Sequence, residues 1–237
     1  MADKEWRIAP MGDRGLVIEL GRSINPVTNR TVHALADYLR THPIAGVIDI
    51  VPGFNTVAIH YRPQEIAAGE LAPYRQLSQE IEEILQRGVA TGERSTRAVE
   101  IPVCYGGEFG PDLGEVAAAC GLTPEQVVQL HCESESVVYM LGFAPGQPYV
   151  GGLDSRLIVP RRSTPRTSVP EGSVAIANDQ TSIYAMQSPG GWSLIGATPL
   201  KMFDPDRTPP ARLEPGDRLH FVPISQEQYH AMRECKP

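Results

Sequence analysis

Lysine is nearly missing from this 237-residue chain. Lys4, Lys201 and Lys236 are the three lysines among 21 basic side chains, and 28 acidic ones bring the net charge to −7. The basic face that grips nucleic acid or an anionic membrane surface is therefore not expected. Cysteine is sparse: Cys104, Cys120, Cys132 and Cys235, with no Cys-x-x-Cys among them. That spacing excludes a zinc ribbon or a dithiol redox motif. No apolar run approaches the roughly 20 residues that span a bilayer, and no apolar segment follows Met1-Ala2-Asp3-Lys4. Without a secretory signal, the expected location is the cytoplasm, with reduced thiols. Also missing are a Gly-x4-Gly-Lys-Ser/Thr loop, a Gly-x-Gly-x-x-Gly after a strand and a Gly-x-Ser-x-Gly elbow. Standard nucleotide cradles and serine-hydrolase chemistry are thereby excluded. His131-Cys132-Glu133 has the His-x-Glu spacing of zinc deaminases, but no Pro-Cys-x-x-Cys follows, so no metal site is expected.

Glycine and proline are abundant, at 22 each, and they crowd the stretch from Gly142 to Gly196. Glycine admits turns that side chains forbid, and proline fixes the chain around them. This stretch is read as short strands joined by rigid loops, the usual seat of binding groups.

The chain divides into two parts of different character. Residues 1–95 follow a βαββα order: a strand at Leu16-Val17-Ile18, a helix from Asn25-Pro26, strands at Val47–Val51 and Thr56–Tyr61, and a helix ending before Gly88. The first helix is expected to bury Val27, Leu35, Tyr38 and Leu39. The order suggests a small ferredoxin-like α+β domain. A polar link, residues 89–96, leads to residues 96–237. Here a strand at Arg97–Val103 and capped helices near 112–119 and 124–131 are expected, with Asp112/Glu115 and Thr123/Gln126 as start signals. Strands then follow at Val137–Leu141, near Ile158, and at Val174–Ala177, Thr181–Tyr184, Ser193–Ile195 and Arg218–Val222. A last helix starts near Gln226. Many short strands with turns between them predict a closed or nearly closed barrel.

Candidate binding and catalytic groups lie in this second part. Arg156, Arg161, Arg162 and Arg166 fall within eleven positions, and guanidinium forks suit carboxylate or phosphate. Arg166 and Arg162 are the preferred anion ligands, with Thr164 between them, and surface or domain-interface salt bridges are the alternative reading. Strand alternation would send Arg161 and Arg162 to opposite faces. His131 could be a general base, and its place at a helix C-terminus should favour its charged form. The same position equally suits a helix cap. Gln180, Ser182 and Tyr184 share one strand face and Thr181 the other. Their amide and hydroxyls could read a small polar group by hydrogen bonds or form a satisfied network at the barrel mouth. Trp192, after Gly190-Gly191, could line the pocket by stacking. Gly142, Pro145 and Gly146 shape the loop before it.

One family resemblance spans most of the chain. It is carried by Tyr105-Gly106-Gly107-Glu108, Leu130-His131, Leu141-Gly142-Phe143-x-Pro145-Gly146, Pro160-Arg161-Arg162-x-Thr164-Pro165-Arg166, Gln180-Thr181 and Ser188-Pro189-Gly190-Gly191-Trp192. Gly12-Asp13 and Val51-Pro52-Gly53 fit as well. On these motifs the chain resembles the family that holds the B subunit of 5-oxoprolinase, allophanate hydrolase subunit 1 and the kinase inhibitor KipI. The resemblance implies a cyclophilin-like β-barrel behind a small α/β domain. It also implies a larger homologous partner subunit and a third, lactam-binding one, hydrolysing 5-oxo-L-proline to L-glutamate with ATP. His131 and Gln180 would then be catalytic, and Arg162, Arg166, Thr164, Thr181, Tyr184 and Trp192 would bind substrate or phosphate. The alternatives are a carboxyltransferase subunit of the allophanate hydrolase/urea carboxylase type and an inhibitor of a sensor histidine kinase. Departures from the family pattern stand at Gln147, Val150, Ser182 and Ala197.

Overall fold

A computed structural model describes residues 6–66, 71–89 and 97–234. Most of the polar link 89–96, and Cys235, lie outside the described residues. The chain divides between Arg94 and Ser95 into two compact units.

In the first unit the elements are β1 (Trp6–Pro10), β2 (Gly15–Leu20), α1 (Pro26–Thr41), β3 (Val47–Pro52), β4 (Thr56–Tyr61) and α2 (Pro73–Arg87). The strand order is β1-β2-β4-β3, and every ladder is antiparallel. Because β4 runs antiparallel to both β2 and β3, these two strands run parallel on either side of it and are joined through α1, the split βαβ arrangement on which the ferredoxin-like expectation rests. What the βαββα reading omits is β1, a short edge strand ending in proline that pairs with β2 as a hairpin and that the sequence pattern does not announce. Asn25 caps α1 by accepting from the Thr28 backbone N–H at 2.9 Å. The buried stripe of α1 is Val32, Leu35, Ala36 and Leu39, whereas Val27 is exposed. Leu77 and Ile81 of α2 close this core over Leu16, Ile18, Val57 and Ile59.

The second unit contains β5 (Ala98–Tyr105), α3 (Leu113–Cys120), α4 (Pro124–Glu133), β6 (Val137–Leu141), β7 (Pro148–Gly151) and β8 (Arg166–Val169). It continues with β9 (Ser173–Ala177), β10 (Gln180–Ile183), β11 (Ser188–Gly190), β12 (Ser193–Ala197), β13 (Arg218–Pro223) and α5 (Gln226–Glu234). Seven strands close a barrel in the order β10-β7-β6-β13-β5-β12-β9, and β8 pairs with β11 in a separate two-stranded sheet. Closure leaves no free edge in the barrel. The strand expected near Ile158 is instead a 3-10 turn, Ser155–Leu157, followed by a single bridge between Val159 and Asn178.

Alternation divides the β-residues between two cores. Val150, Ile176, Ile183 and Ile195 join Leu113, Val116, Val127 and Leu130 from the two helices. Their strand neighbours Ala175, Tyr184 and Leu194 turn to the other face and pack with Val169 and Trp192. The small sheet therefore covers part of the barrel's outer face.

Candidate functional site

His131 occupies the last turn of α4 but points inward and is fully buried. Its Nδ1 lies 2.7 Å from the Tyr105 hydroxyl, and its Nε2 lies 3.1 Å from Thr181 Oγ1. The Phe221 ring packs against it, with centroids 4.3 Å apart. Burial pushes the imidazole pKa down to about 3. The charged form expected from the helix dipole is thus reversed: desolvation of a cation inside a barrel outweighs a terminal dipole that acts over one turn. A neutral ring with both nitrogens engaged ties α4 to β5 and β10. Thr181, buried with it, faces the interior, away from Gln180, Ser182 and Tyr184.

The arginines separate into bound and free. Asp112 precedes α3 but does not cap it, since no backbone N–H of the helix meets its carboxylate. Instead it accepts two bonds from Arg166, at 2.9 and 2.7 Å, and one from Arg162 at 3.1 Å. It also accepts the Leu194 backbone N–H at 2.7 Å. The helix-cap reading of Asp112 is corrected accordingly. With Asp112 buried and two guanidinium groups facing it, the geometry is that of a charge-assisted clasp between α3, β8 and β12. Arg162 also reaches Glu115 at 2.8 Å, and Arg156 is paired with Asp154 at 2.8 Å. Arg161 differs: among the described residues it has no hydrogen bond or ion pair, and it is exposed.

A cleft of about 370 Å³ runs beside Arg161, lined by Arg162, Ser163, Thr164, Ser193 and Glu115. From the same position the Arg161 charge reaches two phenols on the outer face of the barrel. Burial raises the pKa of Tyr149, and Arg161 opposes the rise. Burial likewise raises that of Tyr184, with Tyr149 adding to the effect and Arg161 opposing it. The Trp192 and Tyr149 rings meet edge to face with centroids 5.8 Å apart. Tyr149 stands opposite Ser182 across the β7–β10 ladder, and Gln180 and Tyr184 share that face by alternation. The outcome is a polar and aromatic face bordered by one uncommitted cation.

The loop glycines differ in what they require. Gly146 has φ +71°, and a Cβ there would come within 2.8 Å of Phe203 Cβ and 3.0 Å of the Met202 carbonyl oxygen. A Cβ on Gly190 would overlap the Tyr184 hydroxyl, so glycine lets the small sheet close on that ring. A Cβ on Gly142 would meet only the flexible tip of Met140, and one on Gly191 would make ordinary contact with Pro165. Pro145 is exposed in the turn between Ala144 and Gln147. Among the departures, Gln147 and Ser182 are coupled: both are buried, and Gln147 Nε2 donates to Ser182 Oγ at 3.3 Å. Ala197 packs elsewhere, with Cys104 and Tyr229. Residue spacing alone ranks Arg161 below its neighbours and gives no sign of Tyr149. That Arg161 makes no ion pair among the described residues, although Glu115 lines the same cleft, is invisible in the sequence, and Tyr149 lies in a strand with no clear strand pattern.

Residues 6–213 match the family model described as carboxyltransferase domain, subdomain C and D. The B subunit of 5-oxoprolinase from Bacillus subtilis (strain 168) is 45% identical over 233 residues, covering 97% of each chain. The solved structure of a protein designated TTHA0988 superposes with a TM-score of 0.76 at 37% identity; 90% of this chain corresponds to 40% of that one. This chain thus spans about two fifths of that longer polypeptide. The Kluyveromyces lactis urea amidolyase structure gives a TM-score of 0.81 at 18% identity, with 99% of this chain covering 16% of it. At that identity the likeness concerns the fold.

Proposed function

The chain belongs to the carboxyltransferase domain, subdomain C and D, family and within it to the B subunits of 5-oxoprolinase, and from that premise we propose that it is one subunit of an ATP-dependent 5-oxoprolinase. The observation that carries this reading is the end-to-end match at 45% identity. The reaction hydrolyses the lactam of 5-oxo-L-proline: the ring C–N bond breaks, water supplies a hydroxyl to the carbonyl carbon and a proton to nitrogen, and L-glutamate results.

The site suits such a substrate. Arg161 offers a forked donor to the carboxylate. The flat lactam fits against Trp192 and Tyr149, while Gln180 reads its amide. Tyr184, buried behind this rim, packs in one cluster with Trp192. His131 and Thr181 act as positioning residues beneath this face, holding α4 and β10 together.

ATP supplies the activation that a stable amide needs. The cleft beside Arg161 offers the hydroxyls of Ser163 and Thr164 to a phosphate. No glycine-rich phosphate loop accompanies it, so the remainder of the nucleotide site belongs to a larger homologous subunit, with a third subunit presenting the lactam. We place the assembly in the cytoplasm, where free thiols such as Cys104, Cys120 and Cys132 persist. The barrel is taken as cyclophilin-like. A carboxyltransferase role is supported by the family's description and by urea amidolyase relatives matched over a small part of their length, and the 5-oxoprolinase reading is preferred on the end-to-end match at 45% identity.

The test is reconstitution of the purified subunits with 5-oxo-L-proline and ATP. Glutamate release that vanishes when this chain is omitted is the expected result; undiminished release without it overturns the proposal.

A further inference from the structure

Two arginines on the long loop between β12 and β13 lie close enough to repel, and neither has a counter-charge. The loop is drawn together by a bridge between Phe203 and Ala211. The Arg212 backbone N–H donates to the Met202 carbonyl at 2.8 Å, and the Asp204 N–H donates to the Pro210 carbonyl at 2.9 Å. Arg207 folds back on this frame: its Nε donates to the Pro209 carbonyl at 3.1 Å and its Nη2 to the Pro210 carbonyl at 3.0 Å. Arg212 Nε donates to the Lys201 carbonyl at 3.0 Å. Both side chains are partly buried. Carbonyls fix the direction of a guanidinium without neutralising it. Burial, and then the charge of Arg207, push the Arg212 pKa below its ordinary value.

The acidic side chains of the neighbourhood leave both cations unmatched. Asp204 Oδ2 lies 3.3 Å from Lys201 Nζ, and its Oδ1 accepts the Asp206 backbone N–H at 3.1 Å. Asp217 holds Arg97 at 2.6 Å. Among the described residues, Asp206 and Glu214 make no ion pair with Arg207 or Arg212. Arg97 supplies the contrast, because it donates to the Arg212 carbonyl at 2.9 Å and also has its carboxylate. A partly buried cation without a partner is costly. Nη1 of Arg207 and both Nη atoms of Arg212 remain as donors with no acceptor among the described residues.

We propose that Arg207 and Arg212 form a second anion site, apart from the Arg161 cleft, that takes a phosphoryl dianion. Two forks match two negative charges, and a phosphoryl group has oxygens enough to accept from both. A carboxylate, with one charge and two oxygens, leaves one fork unfilled. Free phosphate and the terminal phosphoryl group of a phosphate ester share this chemistry. Loop geometry alone supports the site, so it stands whether or not the 5-oxoprolinase reading holds.

The test is calorimetric titration of the full-length chain, without other subunits or substrate, carrying Arg161→Ala so that the first cleft is silenced. Inorganic phosphate in a chloride buffer of physiological ionic strength should give saturable one-to-one binding. Arg207→Gln and Arg212→Gln, which keep a polar side chain and remove the charge, should each weaken it about tenfold or more. Arg212→Lys keeps the charge without the fork and should weaken it by less. Arg87→Gln, on α2 of the other unit, should leave it unchanged. Melting temperatures in chloride alone show which variants are folded. Phosphate should raise the melting temperature of the parent chain and not that of a folded Arg212→Gln chain. ATP in place of phosphate separates the two sources. ATP binding that phosphate displaces assigns the site to a phosphate ester, and binding of phosphate alone assigns it to the free ion; both keep the site. Absence of saturable binding, undiminished binding in Arg212→Gln, or an equal loss in Arg87→Gln overturns the proposal. Where the glutamine variants do not fold, undiminished affinity in Arg212→Lys overturns it.

Discussion

At the scale of single residues, position in the fold changes what a side chain can do. His131 has its pKa lowered to about 3 by burial, against about 6.5 when unfolded. The unfolded chain therefore takes up a proton near pH 6.5 that the folded chain refuses. Stability from this group is complete above about pH 6.5 and is lost as the pH falls toward about 3, with a slope of up to about 1.4 kcal/mol per pH unit. His131→Gln should flatten that part of the stability–pH curve measured by urea unfolding, while lowering stability by about 1–3 kcal/mol at about pH 8 through lost hydrogen bonds. Two arginines make a second contrast. Arg161→Ala removes an exposed, unpaired group and should leave stability within about 0.5 kcal/mol, yet raise the KM for 5-oxo-L-proline about tenfold or more. Arg166→Ala leaves the buried Asp112 carboxylate without its bidentate partner. It should cost about 2–3 kcal/mol in denaturant unfolding.

At the scale of elements, local signals suffice where they are self-contained. Thr123 and Gln126 form the full reciprocal cap of α4, with bonds of 3.3 and 2.8 Å. Thr123→Ala should therefore destabilise the protein by about 1 kcal/mol, read from the shift in urea midpoint. Asp112 and Glu115 carry a similar signal, but distant arginines capture the carboxylate. No local pattern reports a partner so far along the chain. The strands hidden from the sequence pattern, β1, β7, β8 and β11, are three to five residues long and rich in proline, glycine or hydroxyl side chains. They exist because the sheet around them supplies hydrogen-bond partners, not through their own propensity. Gly190→Ala, whose new Cβ would overlap the Tyr184 hydroxyl, should displace the β8–β11 sheet and alter Trp192 fluorescence.

At the scale of the whole molecule, each unit has its own core. Leu16, Ile18, Leu35 and Ile59 belong to one, and Ile101, Val138, Ile176 and Leu219 to the other. Two cores that share no member among the described residues predict a calorimetric unfolding enthalpy that exceeds the van't Hoff enthalpy, as two transitions would produce. A ratio of one would instead show a single cooperative body.

The sequence by itself determined that the chain would form two parts, that the second would be a barrel of short strands, and where α1, α2 and α4 begin or end. These follow from periodicity, capping residues and turn chemistry, all of which act over a few neighbouring residues. Only the tertiary structure decided that His131 is neutral, that Asp112 gathers Arg162 and Arg166, and that Arg161 stays free. Desolvation and charge pairing depend on which groups the closed barrel brings together, and Asp112 and Arg166 meet across β-strands whose pairing no local pattern encodes.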